Sequence, residues 1–497
     1  MTLAYSERAG KWFKNKSYIL LIAIILCAFI IRLYYFNVAA GQPLWWDEAE
    51  YGTMAKHFAM GLDYILNNQR PFMFPWIMSL FFSAGVLEPT IKFLLVIIPS
   101  TALVFAVYLL GREMFNQKVG LIAAILTAIN WSLIFWSSRL QPDSLSMVFQ
   151  VLSMFFIWRY WKKPKTSLMV WAGVLASLGF NFKVSGLLVP MSLFIFILFK
   201  DRMAFLKNKD YWIFLAAFLV VLIPQFIYSH IEFGSVTSFL FDSGYASVVL
   251  EEKPFGWYVF KFFHSLTENI LFILFLAGLI ISLKFLLYLD MLVKDKNRCF
   301  DSHIFSVIVL AVVLLFYVFY VRGAEDRWVF LWLPFMFFMI GEALTKIYDF
   351  ARKYSKYLAL GLVILLLAFA SYKQITHADS IINLKKDSYA PVKYAGIWMR
   401  DNSAPQDRVF SISIPQTAYY SERPTRSYSS IKNASDFDVL LEKEHPRFLQ
   451  LSIFEPHPPA INSWIQANQN RLKVVQIYFA DAEQKQPALI IYEINYD

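Results

Sequence analysis

Charge is scarce in this chain. Asp, Glu, Lys and Arg make up 16% of its 497 residues, against 58% hydrophobic and 18% aromatic. Soluble domains carry more charge and less apolar mass, so an ordinary soluble domain is excluded. Cysteine is nearly absent. Cys27 and Cys299 support neither a disulfide framework nor a zinc spacing, and Leu26 stands where a lipoprotein site before Cys27 would want a small residue. There is no glycine-rich phosphate loop and no H-E-x-x-H, and the seven His form no metal-ligand cluster. Internal repeats and low-complexity tracts are also lacking.

What the chain has is apolar runs near 20 residues long, the length that carries a helix across a bilayer, and a mean hydropathy of +0.49. The net charge of +10 does not point to nucleic acid, because Lys and Arg cluster in short segments between apolar runs. Such clusters mark the cytoplasmic side. They lie at 8–16, 112–118, 159–165, 200–209, 294–298 and 346–356. The basic N-terminus and Val38-Ala39-Ala40 resemble a signal peptide, but the run from Tyr18 is too long for a signal core and reads as a retained first helix.

Between two inside clusters the chain crosses an even number of times. Crossings are expected at 17–37, 91–110, 119–137, 144–158, 168–182, 185–200, 211–229, 267–290, 302–321, 328–345 and 357–373, about eleven in all. The apolar stretch 71–87 cannot be a further one, since it would put 112–118 outside; with Pro71 and Pro75 it reads as a helix at the membrane surface. Residues 38–90 then form one long outer loop. From about 376 the composition turns polar. Helices are expected at 389–402 and 460–470, and strands at 408–414, 447–453, 471–479 and 488–494. The expected architecture is a polytopic α-helical membrane protein with a transmembrane part over 1–375 and a small extracytoplasmic α/β domain over 376–497. Its N-terminus is cytoplasmic.

Three groups of residues could carry chemistry. In Trp45-Trp46-Asp47-Glu48-Ala49-Glu50-Tyr51, adjacent carboxylates stand beside two tryptophans just after the first crossing. Asp47 there would face something held by the bilayer, and burial would raise its pKa toward general-base range. The plainer reading is a capping box of Asp47 with Glu50 over a helix at 49–58, with the tryptophans as interface anchors. In Arg139-Leu140-Gln141-Pro142-Asp143, two helices hold an Arg and an Asp in a very short outer loop; the plainer reading makes Asp143 a helix cap. The third group breaks the sidedness rule. Arg32, Arg70, Arg139, Lys183, Arg322 and Arg327 fall on or near the outer side, where cations are costly unless they serve a purpose such as holding a lipid phosphate. Snorkelling, or a local pair of Arg322 with Asp326, is the alternative. Asp436-Phe437-Asp438 is a D-x-D without a nucleotide-binding context and reads as a cap.

With these segments in order, the chain resembles the GT-C class membrane glycosyltransferases of the protein O-mannosyltransferase and lipid A aminoarabinose transferase superfamily. The resemblance rests on Asp47, Glu48 and Tyr51; on Arg70-Pro71 leading into an apolar helix; on Arg139 with Asp143; on Lys183-Val184-Ser185-Gly186; and on Arg327-Trp328 through Pro334. It spans about 330 residues, with Arg70 where aminoarabinose transferases have Lys and Glu50 where they have Arg.

The resemblance implies an inverting transfer of a sugar from a polyprenyl-phosphate donor to a lipid, glycan or protein acceptor outside the cytoplasm. Asp47 would be the base, and Glu48 would orient it. Asp143 would position the acceptor or support a divalent cation, the one candidate cofactor. Arg70, Arg139, Lys183 and Arg327 would take the donor phosphate, and Tyr51 and Trp46 would position the acceptor. The rival class is a transporter or flippase of polyprenyl-linked glycans, which calls for charges at the bilayer midplane and repeated halves. The candidate charges lie at the outer edge instead, and no halves are visible.

Overall fold

The computed structural model describes residues 2–241, 253–284, 298–321, 325–480 and 483–496. Arg322, and residues 294–297 of one basic cluster, lie outside them. Contacts divide the chain into two compact units. One comprises Met1–Val38, Asn68–Phe72 and Lys92–Asn383; the other comprises Ala39–Asn67, Met73–Ile91 and Leu384–Asp497.

The first unit is helical. Among the described residues six helices are long and apolar enough to cross a membrane: Ser17–Val38, Glu88–Met114, Val184–Lys207, Lys209–Phe233, Phe300–Val321 and Lys356–Lys385. Two bent pairs raise this to eight if each is one span. The expected crossings at 144–158, 168–182 and 328–345 coincide with helices Asp143–Lys162, Thr166–Phe182 and Trp332–Ala351, which fall short of that length or apolarity.

Both bends are places where backbone groups lose their helical partners in an apolar setting, where each unsatisfied group costs several kcal/mol. The first bend, 52°, lies between Gln117–Ile129 and Trp131–Ser137; the second, 118°, lies between Phe260–Thr267 and Asn269–Leu283. One amide side chain serves both. Gln374 Oε1 accepts from Trp131 N at 2.9 Å and Asn130 Nδ2 at 3.1 Å, and Gln374 Nε2 donates to Thr267 O at 3.0 Å. Asn130 Nδ2 also donates to Leu266 O at 2.9 Å. Arg32, fully buried, donates to Thr127 O and Ala128 O at 3.2 Å each and to Ser100 Oγ at 3.1 Å. A guanidinium at a helix C-terminus also opposes the dipole favourably. Arg32 is thus a staple over the carbonyls freed by the first bend.

The second unit holds a five-stranded sheet in the order β2-β1-β3-β5-β4, with β1 Val409–Phe410, β2 Thr425–Arg426, β3 Phe448–Ser452, β4 Leu472–Phe479 and β5 Pro487–Ile494. β1 runs parallel to β2 and β3, and β5 antiparallel to β3 and β4. Phe410, Leu449, Phe437, Leu441, Ile461 and Trp464 form the core under helices Ala434–Glu444 and Pro459–Ala467. On the opposite side Val409, Phe448 and Ile491 pack against Val392, Ala395 and Met399 of helix Ala390–Asp401. The expected strand at 408–414 shortens to two residues, because Pro415 sits in the first turn of a helix, Ile414–Ser421.

This unit also contains much of the first long loop. Helix Trp46–Met60 packs on helix Ile414–Ser421 so tightly that a Cβ on Gly52 would lie 2.6 Å from the Tyr419 ring. Lys56 Nζ donates to Glu422 Oε1 at 2.6 Å and Tyr419 O at 2.9 Å, and it stands 4.2 Å above the Tyr419 ring. Thr53 Oγ1 donates to Pro415 O at 3.0 Å, and Tyr420 Oη accepts from Leu44 N at 2.8 Å. The apolar stretch expected to lie at the membrane surface is the helix Met73–Ser83, of 11 residues. At 1.5 Å per residue it is about 16 Å long, half of a bilayer core.

Gly52→Ala should overpack this contact and destabilise the unit by about 1–3 kcal/mol. Hydrogen exchange in detergent should then rise across residues 39–67, and Tyr419→Leu in the same chain should recover most of the loss. Unchanged protection in Gly52→Ala would show that the contact does not hold the helix.

Candidate functional site

One pocket of the helical unit is built from three chain segments. Helix Asp143–Lys162 follows Pro142, and Asp143 occupies its first turn, where a negative charge is favoured. Helix Thr166–Phe182 ends at Lys183, whose extended backbone leads into the short turn Val184–Leu187. The turn Asp326–Val329 precedes helix Trp332–Ala351. Asp143, Ser146, Gln150, Lys183, Arg327 and Trp328 are among the side chains lining the pocket.

Its electrostatics are paired. Lys183 Nζ donates to Asp143 Oδ1, whose side chain is only 3% exposed, and lies 3.3 Å from Arg327 O. Burial pushes the Lys183 ammonium below its ordinary pKa, and Asp143 acts against that shift. Arg327 Nε donates to Glu325 Oε2 at 2.8 Å, and its guanidinium stands 4.7 Å from the centre of the Trp136 ring. Asp326 Oδ2 accepts from Ser132 Oγ and, at 2.7 Å, from Trp136 Nε1. Burial pushes the Asp326 carboxyl above the usual carboxylate range; these two hydrogen bonds and Arg327 oppose it.

The pocket therefore gathers Asp143, Lys183 and Arg327. Arg139 and Arg70 belong to the same unit but are not among its lining residues. Arg139 is buried, with its guanidinium 5.7 Å from the Phe135 ring centre. Arg70 is half-buried on a segment anchored by Phe72, whose N–H donates to Gln225 Oε1 at 3.1 Å and whose ring stacks on Tyr228 at 5.0 Å.

Asp47, Glu48, Tyr51 and Trp46 belong to the other unit. Helix Trp46–Met60 begins three residues before the expected start. Its cap is made by Glu48, not by Asp47 with Glu50: Glu48 Oε2 accepts from Trp45 N at 2.9 Å. Glu50 instead accepts from Asn67 Nδ2 at 2.6 Å. Asp47 is half-buried in the first turn, Trp46 is 38% exposed, and Tyr51 is buried edge-on against Phe74 at 5.3 Å. In Asp436-Phe437-Asp438 the cap reading agrees with the geometry: Asp436 and Asn433 form a capping box, and Asp438 accepts from Trp464 Nε1 at 2.8 Å.

Sequence reasoning passed over Ser146 and Gln150. They lie three and seven residues after Asp143, which puts all three on one face of an otherwise apolar helix. That polar stripe was a usable signal. Asp326 was visible only as a partner for Arg322, and its bond to Trp136 joins positions 190 residues apart.

Residues 69–228 match the family model described as dolichyl-phosphate-mannose-protein mannosyltransferase. That segment contains Arg70, Arg139, Asp143 and Lys183. No curated protein matches the chain by sequence. Among solved structures, ArnT from Cupriavidus metallidurans bound to undecaprenyl phosphate is 11% identical, with a TM-score of 0.67 over 95% of this chain and 97% of that one. The archaeal oligosaccharyltransferase AglB from Archaeoglobus fulgidus, in complex with an inhibitory peptide and a dolichol-phosphate, is 15% identical, with a TM-score of 0.63 over 89% of this chain and 70% of that one. The arabinofuranosyltransferase AftD from Mycobacteria is 13% identical, with a TM-score of 0.57 over 95% of this chain and 41% of that one. The chain shares its fold with these transferases, as the resemblance of its motifs implied, and its long apolar helices are those of an integral membrane protein.

One structure of the Archaeoglobus fulgidus oligosaccharyltransferase is a complex with Zn and sulfate. Here, among the described residues, no three His, Cys, Asp or Glu side chains gather as a metal site. Asp143 is engaged by Lys183, so the residues as arranged do not fit a cation there.

Removing Lys183 would leave Asp143 as an uncompensated buried charge. Lys183→Met should cost about 3–5 kcal/mol of stability, and Asp143→Asn in the same chain should restore part of it. Thermal unfolding of the three variants in detergent measures the coupling; additive losses would show that the pair contributes nothing as a pair.

Proposed function

We propose that the protein is an inverting glycosyltransferase that moves a sugar from a polyprenyl-phosphate donor to a hydroxyl or similar acceptor on a lipid, glycan or protein. The reaction would take place on the extracytoplasmic side of the plasma membrane, with the N-terminus cytoplasmic. The observation that carries the reading is the gathering of Lys183, Arg327 and Asp143 on one pocket at the ends of helices of the apolar helical unit. A donor with a prenyl tail brings its phosphate to such a place, and a half-buried guanidinium and ammonium are groups that recognise phosphate.

Transfer is a single displacement. Asp47 takes the acceptor's hydroxyl proton as that oxygen bonds to the anomeric carbon. The bond from that carbon to the phosphate oxygen breaks, and the electron pair leaves with the lipid phosphate. The phosphate gains one negative charge in the step. Cations that meet this charge stabilise the transition state more than the ground state, which is what lowers the barrier. Lys183 and Arg327 take that role, with Arg70 and Arg139 as further donor-phosphate groups. Asp143 holds Lys183 in place and positions the acceptor. Glu48, spent on the cap, fixes the helix turn that carries Asp47, and Tyr51 and Trp46 flank the acceptor.

The test is transfer by purified protein in sealed vesicles, given radiolabelled polyprenyl-phosphate sugars and lipid, glycan or peptide acceptors. Wild-type protein should transfer label, and Asp47→Asn should lower the rate by about 10²–10⁴ with unchanged thermal unfolding. Near-normal turnover in Asp47→Asn removes Asp47 as the base. Label crossing the bilayer without transfer would make the protein a transporter instead.

A further inference from the structure

Arg327 is held in a closed loop of contacts. Its guanidinium lies 4.7 Å from the centre of the Trp136 ring; the indole N–H of Trp136 donates to Asp326 Oδ2 at 2.7 Å; and Asp326 is the residue bonded to Arg327 in the chain. Ser132 Oγ, one helical turn before Trp136, donates to the same carboxylate oxygen. From the other side Lys183 Nζ lies 3.3 Å from the Arg327 carbonyl, and Glu325 Oε2 accepts from Arg327 Nε at 2.8 Å.

Each link has a physical effect. A ring face attracts a cation, and an indole whose N–H is held by an anion carries more negative charge on that face. The hydrogen bond also fixes the ring's rotation, so the plane on which the guanidinium rests is set. The carboxylate is buried, so its two donors cannot be exchanged for water without loss. A guanidinium is useful to a phosphate only if its planar fork is held at the right angle, and a flexible four-bond side chain does not provide that by itself.

We propose that Trp136 and Asp326 are positioning residues that fix the Arg327 guanidinium in the pocket wall for the donor's lipid phosphate. The assignment rests on the donor-phosphate reading above. Neither residue touches the substrate. Trp136 supplies the platform, Asp326 locks it, and both act through Arg327.

Two measurements test the proposal and the reading separately. The first is the rate at which phenylglyoxal modifies Arg327 in the purified full chain, read by mass spectrometry. Trp136→Phe keeps a ring but removes the N–H, and Asp326→Asn weakens the acceptor. Each should raise that rate several-fold. The second is the affinity for undecaprenyl phosphate in detergent. Trp136→Phe and Asp326→Asn should each weaken it about tenfold in the wild-type chain and not at all in Arg327→Ala. A general folding defect would weaken binding in both backgrounds. An unchanged modification rate, or equal weakening in Arg327→Ala, overturns the positioning role. A raised modification rate together with wild-type lipid affinity in Arg327→Ala overturns the donor-phosphate reading instead. Trp136→Phe is the decisive variant should Asp326→Asn fail to fold.

Discussion

The amide of Gln374 is the interaction on which the pocket depends. A helix broken inside an apolar unit leaves backbone donors and acceptors with no water to satisfy them. Gln374 closes both breaks, through Trp131 N and Asn130 on one side and Thr267 O on the other. With the first break satisfied, the chain turns by 52° and continues as Trp131–Ser137. That short helix carries Ser132 and Trp136, which grip Asp326. The chain then passes Arg139 and Pro142 to place Asp143 at the start of the next helix. One interior amide therefore sets the direction of the segment that grips Asp326 and leads into the helix bearing Asp143.

The acid proposed as the base depends on a different support. Asp47 sits in the first turn of a helix that packs with residues from the C-terminal part of the chain. Gly52 allows Tyr419 to close against the helix, and Lys56 bridges to Glu422 and the Tyr419 carbonyl. A loop more than 300 residues earlier in the sequence thus shares an apolar cluster, Met54 and Tyr64 with Ala418, with helix Ile414–Ser421. The division of labour differs from one of membrane enzyme plus appended domain. Helix Ile414–Ser421 serves as the mount for the segment that bears Asp47, and a site is more accurate on such a mount than on a free loop.

How much of this was legible follows from the range of each interaction. The apolar runs, the turn to polar composition near 376 and most strands of the sheet depend on patterns within about 20 residues, and periodicity reports them. The non-spanning helix Met73–Ser83 was legible from two prolines and the parity of basic clusters. Arg32 was visible as an anomaly, but its role was not, because the carbonyls it serves exist only where a helix breaks almost 100 residues later. The cap of helix Trp46–Met60 was misassigned for a local reason: both Glu48 and Glu50 stand near a helix start, and spacing alone does not say which residue opens it. Lys56 and Gly52 stayed silent because their partners lie more than 360 positions away, and a Lys or a Gly carries no mark of that partner.

The pairing of charges in the pocket bears on how such a site could work at all. Lys183 has Asp143 as its counter-ion and Arg327 has Glu325, so two cations are held in the helical unit without a large uncompensated charge. A lone cation there would be costly in the resting protein and would bind any anion. Paired cations bind a singly charged phosphate diester only weakly in excess of their own carboxylates. Under the proposed reaction the phosphate becomes more negative as the glycosidic bond breaks, and it then competes better for the same ammonium and guanidinium. The carboxylates thereby shift the site's preference from the bound donor toward the transition state, which is the condition for catalysis rather than for mere binding. Asp143 fits both of its roles on this view: it keeps Lys183 charged and tolerable in a buried setting, and it yields that charge when the leaving group needs it.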